Sequence, residues 1–417
     1  MKELFERCCG LDVHRDSIVA CILTGYGKSA KKEIQTFSTN TFGLRLLSDW
    51  LKQNHVQDVV VESTGIYWKP LYTLFEADFN ISLVNAYHVK NARGRKTDVK
   101  DCEWLCRLFK VGAINASFVP PKEIRRLREL VRLRLSLVRD RSRVKNRIIK
   151  TLECANIKLS SVFTNVFGYT SWLIVTKIIN GERDLNKLTT YIHERVKTPK
   201  SEIQQALDGI LEKEDLDILK LLISQVEGLE AHIEQCQTLI EQHLEPFKTE
   251  VELLETIPGI SRITATAIIS EIGVDMSAFP TDEKLASWSA MCPGHHESAG
   301  KQKSGRTRRG NNFLKAALIQ AAWASSRVKN SYLQSKYRQM TMRKGTKRAA
   351  IAIGHKILIV IYHLISKKTA YNELGARFLD GLQTKRKVKY HVKRLEELGY
   401  HIHSVEKVKE KEQVFID

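Results

Sequence analysis

From Lys122 to Lys150 the chain reads KEIRRLRELVRLRLSLVRDRSRVKNRIIK, 29 residues with 12 Lys or Arg and 3 Asp or Glu. No folded core admits so many charges, so most of them must face water or a polyanion. Leu130, Leu137 and Val144 recur every seven residues, and Leu133 and Ile148 extend the same face. This predicts a long basic helix with one apolar seam, in a helical hairpin or a coiled coil. Pro120-Pro121 just before it marks a boundary. A second long helical region is expected over 202–245, with Leu219, Leu222, Val226, Leu229 and Ile233 on one face, either pairing with the first or dimerising.

Such a rod divides the chain. At 417 residues it is too long for one ordinary core, and two or three domains are expected. An excess of 67 Lys+Arg over 47 Asp+Glu gives a formal charge of +20, which points to a polyanionic partner, above all nucleic acid. The alternative, charge kept only for solubility, sits poorly with its clustering. The eight cysteines form no CxxC pair and no zinc spacing, so they read as free thiols of a reducing compartment. MKELFERCCGLDVHRD lacks the pattern of a signal peptide. AAIAIGHKILIVIYHLI (349–365) is interrupted by Gly354, His355, Lys356 and His363 and reads as a buried helix rather than a membrane span.

Ahead of the proline pair the pattern changes. CCGLDVHRDSIVACILT (8–24) reads as two strands around a polar turn at His14–Asp16, and KKEIQTFST (31–39) as a third. A helix over 42–54, a continuously apolar strand DVVVEST (58–64), a helix near 71–78, a strand ISLVNA (81–86) and a helix from about Asp98 to Val111 follow. Three hairpin strands followed by alternating helix and strand predict an α/β domain of the ribonuclease H type.

Four acids stand out in that domain: Asp12 on the first strand, Glu62 ending the buried strand, and Asp98 with Asp101 in GRKTDVKDCEWL. Residues three apart on a helix lie about 60° apart around its axis, so Asp98 and Asp101 can face one point. Two Mg²⁺ ions about 4 Å apart can hold the attacking and leaving oxygens of a phosphodiester, and they need carboxylate ligands. Arg93, Arg95, Lys96 and Lys100 around the pair would then hold phosphate. Taken singly, Asp12 also reads as a turn residue and Asp98 as a helix N-cap. Glu62 is harder to dismiss, because an unpaired carboxylate closing an apolar strand is costly.

Two further motifs lie near the C-terminus. ETIPGISRITATAIISEIG (255–273) resembles a helix-hairpin-helix element, whose backbone N–H groups bind DNA phosphate; a tight turn between core helices explains it as well. Residues 281–364 read as mostly helical, broken by a polar loop at 292–312. In CPGHHESAGKQKSGRTRRGNNFLK (292–315), the stretch from Lys301 to Lys315 has six Lys or Arg and no acid, with Lys301, Arg306, Arg308 and Arg309 among them. Glycines 294, 300, 305 and 310 would keep such a loop open to close backbone approach. Ser298 and Ser304 are candidate nucleophiles, since a serine among cations can form a phosphoserine that conserves bond energy for rejoining. A basic loop that only binds backbone phosphate is the plainer reading. Arg139, Arg141, Arg143 and Arg147 on the basic helix are the other candidate nucleic-acid contacts.

The order GLDVH, VVVESTG, KTDVKD, ETIPGI and CPGHHESAGKQKSGRTRRGN resembles the DEDD transposases of insertion sequence family 110, in the 1111 subgroup, which are similar to the pilin-gene inverting recombinase Piv. The resemblance spans nearly the whole chain. It implies a RuvC-like domain (1–119) with Asp12, Glu62, Asp98 and Asp101 as its Mg²⁺-binding tetrad, and a basic helical or coiled-coil region (120–250). It further implies a mainly α transposase domain (251–375), with a serine nucleophile that matches Ser298 best, and a basic, then mixed-charge tail (376–417). Ser304 stays in play, because the loop departs from the double-serine form of other branches. The implied partners are donor and target DNA, a structured noncoding guide (bridge) RNA and further copies of the chain in dimers and tetramers. The implied location is the bacterial cytoplasm, at the nucleoid. The competing readings are a RuvC-like Mg²⁺ nuclease or junction resolvase that uses water, and a non-catalytic nucleic-acid-binding protein.

Overall fold

The computed structural model describes residues 3–27, 30–63, 65–85, 98–294, 296–307 and 310–400. The chain divides into two compact units, Met1–Lys122 and Glu123–Asp417.

In the first unit five strands, β1 (Arg7–Val13), β2 (Ser17–Thr24), β3 (Lys31–Ser38), β4 (Asp58–Glu62) and β5 (Asn80–Val84), form one sheet in the order β3-β2-β1-β4-β5. Strands β1 to β3 are antiparallel neighbours, because the links between them are short; the β1–β2 turn is closed by His14 N–H donating to Ser17 O at 2.9 Å. Strands β4 and β5 lie parallel to β1, which requires crossovers, and helices α1 (Thr41–Gln53) and α2 (Trp68–Phe75) supply them. Asn40 caps α1 by accepting from Gly43 N–H at 2.8 Å. The charged residues Lys31, Lys32 and Glu33 lie exposed on edge strand β3, which discourages pairing with another chain.

Val59, Val60 and Val61 are fully buried, as a strand covered on both faces requires. Val59 and Val61 join Cys9, Leu11 and Val13 in one core beneath α1 and α2. Val60 joins Cys8 and Cys21 in a second core under α3 (Asp98–Lys110), whose Cys102, Leu105, Cys106 and Phe109 face the sheet.

The second unit begins with the basic helix α4 (Lys122–Cys154). Four short helices follow, α5 (Leu159–Val162), α6 (Tyr169–Ile179), α7 (Leu185–Thr190) and α8 (Lys200–Leu207), and then the long α9 (Lys213–Leu244). The helix expected over 202–245 is therefore interrupted, and α9 starts at Lys213 behind a capping box of Glu212 and Asp215. Helices α4 and α9 run antiparallel: Cys236 Sγ lies 3.3 Å from Leu130 O, Arg141 and Lys145 both reach Glu230, and Val144, Ile148 and Leu152 share a core with Val226 and Leu219. Leu219, Val226, Ile233 and Ile240 are buried at seven-residue intervals. Leu133 departs from the expected seam. It is 51% exposed, and Leu130 and Leu137 are only half-buried; the helix buries Ile124, Leu127, Val144, Ile148 and Leu152.

Beyond this pair come α10 (Lys248–Glu255), α11 (Arg262–Ile272), α12 (Asp282–Trp288), the strands β6 (His296–Ser298) and β7 (Lys301–Ser304), and helices α13 (Asn312–Ser325), α14 (Tyr332–Lys344), α15 (Thr346–Lys367) and α16 (Phe378–Glu397). Helix α15 has the length and composition of a membrane span, yet half of its apolar window is buried inside the protein. Its Ile353, Ile357, Leu358 and Ile361 are fully buried, and a Cβ on Gly354 would lie 2.9 Å from Met291 Cε and 3.2 Å from Leu318 O, so α13 and α15 cross closely there. It is a core helix.

Candidate active site

In the first unit the parallel register pairs Cys9 with Val59, Gly10 with Val60 and Leu11 with Val61. One step on, Asp12 and Glu62 stand side by side at the ends of neighbouring strands. Side chains alternate across a sheet, so both follow Gly10 and Val60 onto the α3 face. Asp12 is only 16% exposed along its side chain, and Glu62 is half-buried. Helix α3 crosses this face antiparallel to β1: Cys8 Sγ is 3.5 Å from Cys106 Sγ, and Cys102 Sγ is 3.4 Å from Gly10 O. A Cβ at Gly10 would come within 2.6 Å of Cys102 O, so only glycine allows this approach. Continuing the same pairing, the first turn of α3, which carries Asp98 and Asp101, stands at the end of β1 that carries Asp12. Asp101 is half-buried. The side chain of Asp98 lies outside the described residues, as do Arg93, Arg95 and Lys96, whereas Lys100 is exposed.

His14 is a neighbour that the sequence patterns did not single out. Its Nε2 lies 3.3 Å from Asp12 Oδ2. The signal was its place at the start of the polar turn that follows β1, two residues after Asp12. The cysteines also gather in a way that spacing did not reveal: Cys8, Cys21, Cys102 and Cys106 meet between the sheet and α3 as free thiols. Hydrogen bonding to Cys21, burial, and the charges of Cys21, Cys9 and Asp12 push the Cys102 thiol up, so it stays protonated beside the carboxylates. Among the described residues no three His, Cys, Asp or Glu side chains are arranged as a metal cage.

In the second unit the segment expected as an open polar loop folds as a hairpin. His296 pairs with Ser304, Glu297 with Gln302 and Ser298 with Lys301. The link is Ala299-Gly300, with φ of 49° and 72°, the pair of left-handed residues that suits a two-residue turn between twisted strands. Pro293 bridges Thr307, and Gly294 N–H donates to Arg306 O at 2.8 Å, so the ribbon continues to its base. Ser298 thus sits at the tip, against exposed Lys301, while Ser304 sits near the base. The side chains of both serines, and Arg308 and Arg309 altogether, lie outside the described residues; Arg306 is exposed.

Just beyond the hairpin, at Asn311, lies a part-buried ion network. Glu271 on α11 is 2% exposed and takes both arms of Arg132 at 2.8 Å each, with Arg128 at 3.3 Å. Asn311, the N-cap of α13, donates to Glu271 Oε2 at 2.6 Å, and Arg132 lies 4.3 Å over the Phe313 ring. Burial pushes the Arg128 guanidinium down to about 10, against the pull of Glu271. No spacing rule brings together residues 128, 132, 271 and 311, so these contacts appear only in the fold.

The IPGI turn joins α10 to α11. Ser261 caps α11 by accepting from Thr264 N–H, and Gly259, at φ 90°, presses on the backbone of Ser325, where any Cβ would collide. The glycine therefore serves close packing against α13. On α4, Arg139 and Arg147 are exposed, Arg143 pairs with Asp140 at 2.7 Å and Arg141 with Glu230 at 3.5 Å.

Residues 9–157 match the family model of the IS110-type DEDD transposases, described as "Transposase", and residues 251–338 match "Transposase IS116/IS110/IS902 family". The chain belongs to the IS110 family of transposases, enzymes that act on DNA. It is 28% identical over 126 residues to the transposase for insertion sequence element IS1111A of Coxiella burnetii, a match covering 29% of this chain and 34% of that relative. It is 22% identical over 377 residues to the pilin gene-inverting protein of Moraxella lacunata, and 23% over 379 residues to that of Moraxella bovis, each covering 87% of this chain and 97% of the relative.

Proposed function

We propose that this chain is the site-specific recombinase of an insertion sequence, which cuts and rejoins DNA through Ser298 assisted by a RuvC-like carboxylate site. The observation that carries this reading is the register of β1 and β4, which sets Asp12 beside Glu62 on the face crossed by the first turn of α3. The donor set is all carboxylate oxygen, the ligand type that Mg²⁺ takes, and Asp12, Glu62, Asp98 and Asp101 are the residues that would hold it. Bound there, Mg²⁺ would neutralise charge that develops on a scissile phosphate. His14 steadies Asp12. The sheet order β3-β2-β1-β4-β5 supports the ribonuclease H type.

Ser298 Oγ forms the bond to phosphorus, and the deoxyribose oxygen leaves with a proton. Ser298 is favoured over Ser304 by its place at the hairpin tip. Lys301, Arg306, Arg308 and Arg309 stabilise the phosphate charge there. The antiparallel pair of α4 and α9 acts as a coiled-coil assembly element, and Arg139, Arg141, Arg143 and Arg147 hold nucleic-acid phosphate. A structured guide RNA supplies sequence recognition, and dimers and tetramers bring the carboxylates of one subunit to the serine of another. The site of action is the cytoplasmic nucleoid.

The test is covalent trapping on element-end DNA with Mg²⁺ and copurified RNA. Wild type and Ser304→Ala are expected to yield a protein–DNA adduct and Ser298→Ala none. Mixed Ser298→Ala and Asp12→Asn chains should recover some adduct if a site draws on two subunits. Strand scission by wild type with no adduct would leave the water-using nuclease as the correct reading. An adduct lost only in Ser304→Ala would move the nucleophile.

A further inference from the structure

The two family matches leave residues 158–250 uncovered, and the small lobe of α5 to α8 lies in that interval. It carries an open cleft of about 650 Å³ at the N-terminus of α6. Phe163 and Val196 form apolar lining, and Tyr169, Thr170, His193 and Arg195 are among its other lining residues. This volume falls within the range of small-ligand sites, roughly 300–1,000 Å³.

Three features give the cleft a chemistry. Tyr169, an aromatic residue, is 80% exposed at its rim, where burial would ordinarily be favoured. Thr170 is only 7% exposed and lines the cleft, yet its hydroxyl makes no hydrogen bond with any described residue. The Arg195 guanidinium has no partner among the described residues either, while its backbone N–H donates to His193 Nδ1 at 3.1 Å. With Nδ1 accepting, a neutral His193 carries its proton on Nε2 and offers it as a donor. Helix α6 has no side-chain cap, so its first-turn amides and the positive end of its dipole add to this set. The cleft therefore combines an apolar, aromatic wall with anion-seeking groups, Arg195 and His193 at its exposed rim and Thr170 in the first turn of α6.

We infer that this cleft binds one nucleotide of a single-stranded nucleic acid, with the base stacked on Tyr169 and the phosphate held by Arg195, Thr170 and the first turn of α6. The inference rests on the proposed function only in taking nucleic acid as the ligand, and it adds a contact point away from the serine hairpin and the carboxylates. A duplex keeps its bases stacked internally, so the site favours a strand with an unpaired base.

The test is fluorescence anisotropy on the full chain, using labelled 20-nucleotide single-stranded DNA and RNA, the matching duplexes, and AMP or dAMP as competitors. Tyr169→Ala is expected to weaken single-strand binding roughly five- to hundredfold, the scale of one lost base stack, and to leave duplex binding unchanged. Arg195→Gln should lower the salt slope by about 0.7, and Thr170→Val should weaken binding in the same direction. Tyr169 and Arg195 are exposed, so unchanged melting temperatures serve as the folding control. Unchanged single-strand affinity and slope in all three variants, against a wild type that binds, would overturn this site alone. A wild type that binds no oligonucleotide would overturn it together with the nucleic-acid reading. An equal loss on duplex would refute base stacking, and full displacement by millimolar AMP or dAMP would make the ligand a free nucleotide instead of a strand.

Discussion

The carboxylate site and the serine hairpin are built in opposite ways. Asp12 and Glu62 stand at the ends of two neighbouring strands whose central residues are buried, and α3 is pressed on them so closely that Gly10 cannot carry a Cβ. Ser298 ends a three-residue strand at the tip of a two-stranded ribbon. On the proposed function, ligands that share a metal gain from a rigid frame, whereas a nucleophile that reaches a phosphate on a bulky substrate gains from projection. The close packing of the first unit lies in the β1–β4–α3 junction, and that of the second in the Glu271 network beside the hairpin.

The sharpest way to break this contrast is to remove a ligand and leave the frame. Asp12→Asn and Asp101→Asn are expected to abolish recombination while DNA and RNA affinity stay within a few-fold of wild type, as measured by strand-transfer and binding assays. Recombination at the wild-type rate in either variant would take that residue out of the site.

Next comes the ion network beside the hairpin. Glu271→Ala leaves Arg128, 18% exposed, without its carboxylate, while Arg132, 37% exposed, can turn to water, and a loss of about 3 kcal/mol is expected in denaturant unfolding of the full chain. A cost below about 1 kcal/mol would show that the network does not anchor this unit.

The frame itself is probed by Gly10→Ala. The added carbon meets Cys102 O at 2.6 Å and Cys106 at 2.9 Å, so α3 must shift. Overpacking of this kind costs about 1–3 kcal/mol, and activity should fall with it because the first turn of α3 moves away from Asp12. Equal stability with full activity would mean that α3 is not held as closely as the contrast requires.

The smallest effect belongs to Arg262 and Glu241, paired at 2.8 Å with both side chains 39% exposed. The hydrogen bond from Arg262 holds the Glu241 carboxyl below its usual range. A depressed carboxylate adds stability above its ordinary pKa and loses it as pH falls through the lowered one. Glu241→Gln is therefore expected to cost less than about 1 kcal/mol at neutral pH, and less still at low pH or high salt. A larger cost, or one insensitive to salt, would place this pair among the anchors.

Much of the frame was legible from local pattern. Continuous apolarity in DVVVE foretold a strand covered on both faces, and the hairpin strands before it followed from short links and a polar turn. The long basic helix followed from charge density and its seven-residue repeat, although Leu133, grouped with that seam, is 51% exposed and Leu130 and Leu137 are only half-buried. The ribbon at 296–304 was not legible. Its strands are three and four residues long and polar, so they carry no periodic signal, and only Ala299-Gly300 between them marked a turn.

What the sequence determined by itself was whatever depends on neighbours along the chain: strand and helix order, the acids at strand and helix ends, the glycines of tight turns and the excess of positive charge. What only the tertiary structure decided was which distant groups meet. Register set Asp12 beside Glu62, four thiols gathered under α3, and Glu271 collected Arg128, Arg132 and Asn311 from two other segments. Those contacts depend on packing between elements far apart in the chain, and packing selects for shape and charge in space, which no spacing along one dimension records.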